Sequence, residues 1–122
     1  MPTFIHTCLG KDFHTLISRC EEQTRNLAGH TADPLFIQKI AFISLNHHAA
    51  IERLDTIRAF HFGSHLLVEV DIVLPMSMPL KEAHDIGEGL QNKLENVDGV
   101  ERAFVHLDYE FSHHPESEHK YA

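Results

Sequence analysis

Apolar residues along this chain switch between helical and alternating spacing, and the switches delimit its elements. Phe13, Leu16, Ile17 and Cys20 fall at helical spacing, and the polar stretch 21–31, which contains Gly29, reads as a linker. Asp33 is placed to cap a second helix with Pro34 at its first position. Leu35, Phe36, Ile40, Ile43 and, at an edge, Leu45 supply its buried side, and the pattern predicts an end near His48. Residues 54–62, with Ile57, Phe60 and Phe62, predict a strand that Gly63 and Ser64 turn into the next one as a hairpin. From 66 to 74 the alternation is clean: Leu66, Val68, Val70, Ile72 and Leu74 lie on one side and Glu69 and Asp71 on the other, so Asp71 is expected to point away from the core.

The segment 75–79, with a proline at each end, stops that strand. Ala83, Ile86, Leu90, Leu94 and Val97 then mark an amphipathic helix from Leu80 that stops near Gly99, with His84 on the edge of its apolar stripe. Gly87 and Gly89 each cost about 1 kcal/mol relative to Ala inside a helix, which argues for close packing against a neighbouring element. In the last strand, 100–110, Ala103, Val105, Leu107 and Tyr109 share one side and Phe104, His106, Asp108 and Glu110 the other. The order predicts an α+β sandwich: an αββαβ unit at 33–110 with both helices on one side of a three-stranded sheet, after an N-terminal helix and linker at 1–32 and before a flexible tail at 111–122.

The tertiary consequence is chemical. With the apolar sides of the strands meeting the helices, Glu69, Asp71, His106, Asp108 and Glu110 populate the uncovered sheet face. Asp55 before one extended run, Asp71 in the next, His84 opening a helix, and His106 with Asp108 on the final strand form a candidate set of ligands for a divalent metal. His84 belongs to a helix packed on the opposite face, so the sequence predicts a homodimer in which one copy delivers His84 to Asp71, His106 and Asp108 of the other.

Composition narrows the partners. The chain has 122 residues, enough for one domain with an ordinary core, and 18 acidic against 10 basic residues give a formal charge of -8. Nucleic-acid phosphates and anionic membrane surfaces are repelled, and cations are the natural small partners. No apolar run approaches the ~20 residues that cross a bilayer. Only Cys8 and Cys20 occur, which is no disulfide framework and fits a reducing cytosol. Twelve histidines raise the expectation of metal binding; His6 with Cys8, and His113, His114 and His119 in the tail, are weaker candidates.

The residues also resemble a family. Leu27–Ala28–Gly29 followed by Ala32, the run Leu54–Asp55–Thr56–Ile57–Arg58, Phe62–Gly63, the stretch from Val68 to Pro75, the helix opening Glu82–Ala83–His84 and the strand ending His106–Leu107–Asp108 are similar to the cytosolic C-terminal domain of cation diffusion facilitator transporters. Within that family the likeness is to the manganese-type metal tolerance proteins of plants and fungi, over about residues 22–110. The resemblance implies a metallochaperone-like (ferredoxin-like) αββαβ fold that dimerises beneath a six-helix transmembrane exporter of divalent cations, at the cytosolic face of an organelle membrane. It implies that this chain holds the cytosolic part alone, and that residues 1–19 depart from the family pattern.

Zinc-transporting relatives place histidines where Asp55 and Asp71 stand, while His84, His106 and Asp108 agree with their cytosolic metal positions. Carboxylate in place of imidazole hardens the site toward Mn²⁺, whereas raw affinity favours Zn²⁺. A dimerisation module that binds no metal is the alternative, as is a small soluble metal-binding protein. An enzyme has less behind it: Asp108 could orient His106 as a general base, but no nucleophile elbow, P-loop or HExxH motif accompanies the pair.

Overall fold

A proline preceded by a side-chain cap starts the first helix of the sandwich. The computed structural model describes residues 13–19, 21 and 29–110, and in it Asp33 Oδ1 accepts the Leu35 N–H at 2.8 Å, with Pro34 opening helix α1 (Pro34–Leu45). The elements that follow are β1 (Arg53–Phe62), β2 (His65–Val73), helix α2 (Leu80–Glu95) and β3 (Val100–Asp108), in the order expected. Residues 13–19 are helical, as their spacing predicts, with Phe13 and Leu16 exposed. The expectations for His6, Cys8, Cys20 and the tail from 111 lie outside the described residues, as does most of the linker.

Helix α1 ends earlier than the expected His48. Asn46 donates both its backbone N–H, at 3.2 Å, and its side-chain amide, at 2.8 Å, to the Phe42 carbonyl, which closes the last turn. Ile40 and Ser44 are buried, Phe36, Ile37 and Ile43 pack at the margin, and Leu35 and Leu45 are 73% and 50% exposed, contrary to expectation. The helix is apolar almost all round, with Phe42 exposed too, so contact with the sheet rather than the pattern selects its inner face.

The sheet order is β1-β2-β3. β1 and β2 form an antiparallel hairpin, with Phe62 opposite His65 and Gly63 at positive φ in the turn. β2 and β3 run parallel, so the chain must cross over the sheet, and α2 is that crossover. Register aligns rows across the three strands. Leu54, Ile72 and Leu107, then Ile57, Val70 and Val105, then Ala59, Val68 and Ala103 line the face beneath the helices. Ile40 from α1 and Ile86, Leu90 and Leu94 from α2 complete one core cluster with all of these except the exposed Leu107. Fully burying a Leu or Ile side chain is worth about 1.5–3 kcal/mol, so this single layer carries most of the fold's driving force.

Three details differ from the sequence reading. The end of the expected linker is folded: Ala32 N–H donates to the Ala59 carbonyl at 2.9 Å, His61 N–H to the His30 carbonyl at 2.8 Å, and Thr31 bridges Phe60, so this segment covers the outer edge of β1. β3 ends at Asp108, not Glu110, because the Asp108 carboxylate turns the chain by accepting the N–H groups of Tyr109 at 2.9 Å and Glu110 at 3.4 Å. Tyr109 is accordingly exposed. And the chain from Val70 in β2 to Leu74 just beyond it is buried without a break, Asp71 included; β2 is the central strand, with a neighbour on each side.

The helix glycines do serve close packing. A Cβ at Gly87 would stand 2.8 Å from Leu107 Cδ2, and one at Gly89 would stand 3.3 Å from the His47 ring. His47 follows the end of α1, and its Nε2 lies 3.0 Å from the Ile86 carbonyl, clasping the two helices together.

Candidate metal centre

The face of the sheet turned away from the helices carries the chemistry. Across it the register aligns Thr56, Asp71 and His106 in one row and Arg58, Glu69 and Phe104 in the next. One ligand atom each from Glu69, Asp71 and His106 lies within 4.8 Å of the others. His106 Nδ1 is 3.5 Å from Asp71 Oδ1, and the two differ sharply in environment: the His106 side chain is 61% exposed and that of Asp71 6%. Asp71 points away from the helices as alternation requires, and it is nevertheless buried. A carboxylate taken out of water is costly unless positive charge or hydrogen bonds compensate it, so the surroundings of Asp71 must meet its charge.

The five expected ligands do not all converge. Asp71 and His106 do. Asp55 is exposed at a β-bulge, the extra residue between Leu54 and Thr56, and stands outside the cluster. Asp108 shares the face of His106 but lies opposite Val73, and its Oδ1 is engaged in the turn after β3; the carboxylate facing His106 is that of Asp71. His84 is on α2, in a second group with Asp85 and Glu88 whose ligand atoms also lie within 4.8 Å. That group is wholly exposed, and Lys81 donates to Asp85 at 2.8 Å. The Lys81 hydrogen bond, then that of His84, holds the Asp85 carboxyl below the usual carboxylate range, so a metal there competes with an ammonium group already in place. His84 also borders a groove of about 210 Å³ with Gly87, Glu88, Gln91, Val105 and Leu107, where α2 meets β3.

Glu69 was placed on the right face by alternation but not counted as a ligand. The signal was its i, i+2 spacing from Asp71. For the second group the signal was the i, i+4 spacing of His84 and Glu88 on one helix face. Two carboxylates and an imidazole suit a divalent first-row ion and leave positions open for further donors.

An αββαβ sandwich with one acidic sheet face turned away from α1 and α2 defines a metallochaperone-like α+β domain. The solved structures it resembles include the Zn form of CzrB, at 20% identity and a TM-score of 0.59 over 68% of this chain and 94% of that one. The manganese form of a MamM C-terminal domain variant gives 18% identity and a TM-score of 0.57 over 64% and 100%. Residues 32–110 match the family model described as "Cation efflux protein, cytoplasmic domain", and the chain belongs to that family. Among its relatives are metal tolerance protein 5 of Oryza sativa subsp. japonica, 60% identical over 95 residues, and metal tolerance protein 11 of Arabidopsis thaliana, 58% identical over 95. These stretches cover 78% of this chain but only 23% and 24% of the relatives. No helix among the described residues is long and apolar enough to cross a membrane.

Proposed function

We propose that this chain is the regulatory domain of a divalent-cation exporter, acting on the cytosolic side of an organelle membrane as a homodimer that Mn²⁺ or Zn²⁺ tightens. The observation that carries this reading is the convergence of Glu69, Asp71 and His106 on the sheet face turned away from α1 and α2. Family membership supports the efflux setting. The relatives extend well beyond the matched stretch, and membrane passage is assigned to that remainder.

The three donors leave coordination positions for a second copy to fill. His84 is separated from them by the thickness of the sheet, so it reaches the centre only from a partner, and Asp108 and Asp55 join only if association reorders the end of β3 and the bulge. Large apolar side chains near that end, Met76, Leu80, Leu107 and Tyr109, are exposed in the single copy, and a second copy would cover them. Metal that binds only the closed dimer stabilises it by about 2.7 kcal/mol at a hundredfold excess over Kd. Closure raises metal affinity by the same coupling, and this links cytosolic metal to the transporting arrangement of the membrane part.

The manganese preference follows from the carboxylates, which are harder donors than the histidines of zinc-transporting relatives. Light scattering and thermal melts of the purified chain with MnCl₂, ZnCl₂ and chelator test the proposal. The expected result is a dimer whose melting point rises with metal. A dimer indifferent to both ions and to chelator leaves a metal-independent assembly module instead, and an unchanged monomer removes the proposal altogether.

A further inference from the structure

The centre holds a carboxylate that the ligand set read from the sequence omits. Glu69 stands two residues before Asp71 on β2, on the same face, with an oxygen inside the 4.8 Å group. Its register partners are Arg58 on β1 and Phe104 on β3. Arg58 is the cation best placed to neutralise it, yet among the described residues Glu69 forms no ion pair within 4.0 Å. Phe104 offers no competing donor. Glu69 is half-buried, and the side chains it approaches are a buried carboxylate and an imidazole.

We propose that Glu69 is a metal ligand and the residue that sets the preference of this centre for Mn²⁺ over Zn²⁺. The inference rests on the reading of Asp71 and His106 given under Proposed function. With Glu69, one protomer assembles two carboxylates and one neutral imidazole, whose charge of minus two cancels that of a divalent ion. Charge balance counts here because Asp71 is buried, where water screens charge least. Without Glu69, one carboxylate and one imidazole remain. Mn²⁺ depends on oxygen donors and loses a large part of its binding, whereas Zn²⁺ keeps its preferred imidazole and loses less.

Calorimetric titration of the 122-residue chain with MnCl₂ and with ZnCl₂ decides it, comparing the unmodified chain with Glu69→Gln, Glu69→Asp and Asp71→Asn. Glu69→Gln preserves shape and removes the charge, and it should weaken Mn²⁺ binding by about tenfold or more and Zn²⁺ binding by a clearly smaller factor. Glu69→Asp retains a carboxylate and should recover part of the Mn²⁺ affinity. Asp71→Asn should weaken both ions. Unchanged Mn²⁺ binding in Glu69→Gln, or an equal loss for both ions, overturns the role of Glu69 while leaving the centre itself standing if Asp71→Asn still weakens binding. An unmodified chain that binds neither ion overturns the centre as well. Circular dichroism melts of each variant separate loss of ligand from loss of fold.

Discussion

The clasp between the helices makes a measurable demand on pH. His47 Nε2 lies 3.0 Å from the Ile86 carbonyl, so in the neutral ring Nε2 carries the hydrogen and donates it. Nδ1 is buried and finds no hydrogen-bond partner among the described residues, so a second proton there would create a charged N–H with no acceptor among them. Burial accordingly pushes the His47 pKa down, the Ile86 carbonyl opposes that shift, and the charges of Lys93 and His48 reinforce it. The unfolded chain takes up this proton more readily than the folded one. The contribution of His47 is therefore fully present above the unfolded value of about 6.5 and declines as pH falls below it.

At neutral pH the hydrogen bond itself is worth about 0.5–1.5 kcal/mol. In a domain of this size 1 kcal/mol moves Tm by roughly 4–8 °C. His47→Leu removes bond and titration together. Because the chain contains 12 histidines, only the difference between the unmodified chain and the variant isolates this one. Urea denaturation of both at pH 7.5 and 5.5 should give a stability difference that favours the unmodified chain more at pH 7.5 than at 5.5. A difference that is constant, or that grows on acidification, refutes the clasp as drawn.

Further expectations concern the core, the cap and the helix glycine. Leu90 is fully buried between α2 and the sheet, so Leu90→Ala should cost about 2–5 kcal/mol by urea denaturation. Asp33→Ala loses the α1 cap and should cost about 1 kcal/mol, whereas Asp33→Ser should recover most of it. Gly87→Ala gains about 1 kcal/mol of helix propensity and must move only the partly exposed Leu107 side chain, so melts should show little net change. Gly87→Val brings a branched side chain against the same leucine and should be clearly destabilising.

How far the sequence reached depends on which physical scale fixed each feature. The hairpin, the crossover helix and the face assignments of β2 and β3 rest on periodicities of the chain itself, and Val68, Val70, Ile72, Leu90 and Leu94 are buried as the pattern requires. The start of α1 was legible because a cap and a proline act within a few residues. Its inner face was not, since an almost uniformly apolar helix carries no directional signal, and Leu35 and Leu45 were wrongly expected inside.

The candidate centre divides in the same way. Side-chain alternation was enough to put Glu69, Asp71 and His106 on one face. Register, which depends on strand order and on the parallel pairing of β2 with β3, decided that His106 stands opposite Asp71 and Asp108 opposite Val73. The bulge at Asp55 and the burial of Asp71 arise from strand pairing, an interaction between distant segments that no local pattern encodes. Sequence alone determined which residues could face the same way; only the assembled sheet decided which of them meet, because contact between strands is set by the register of the whole and not by spacing along one of them.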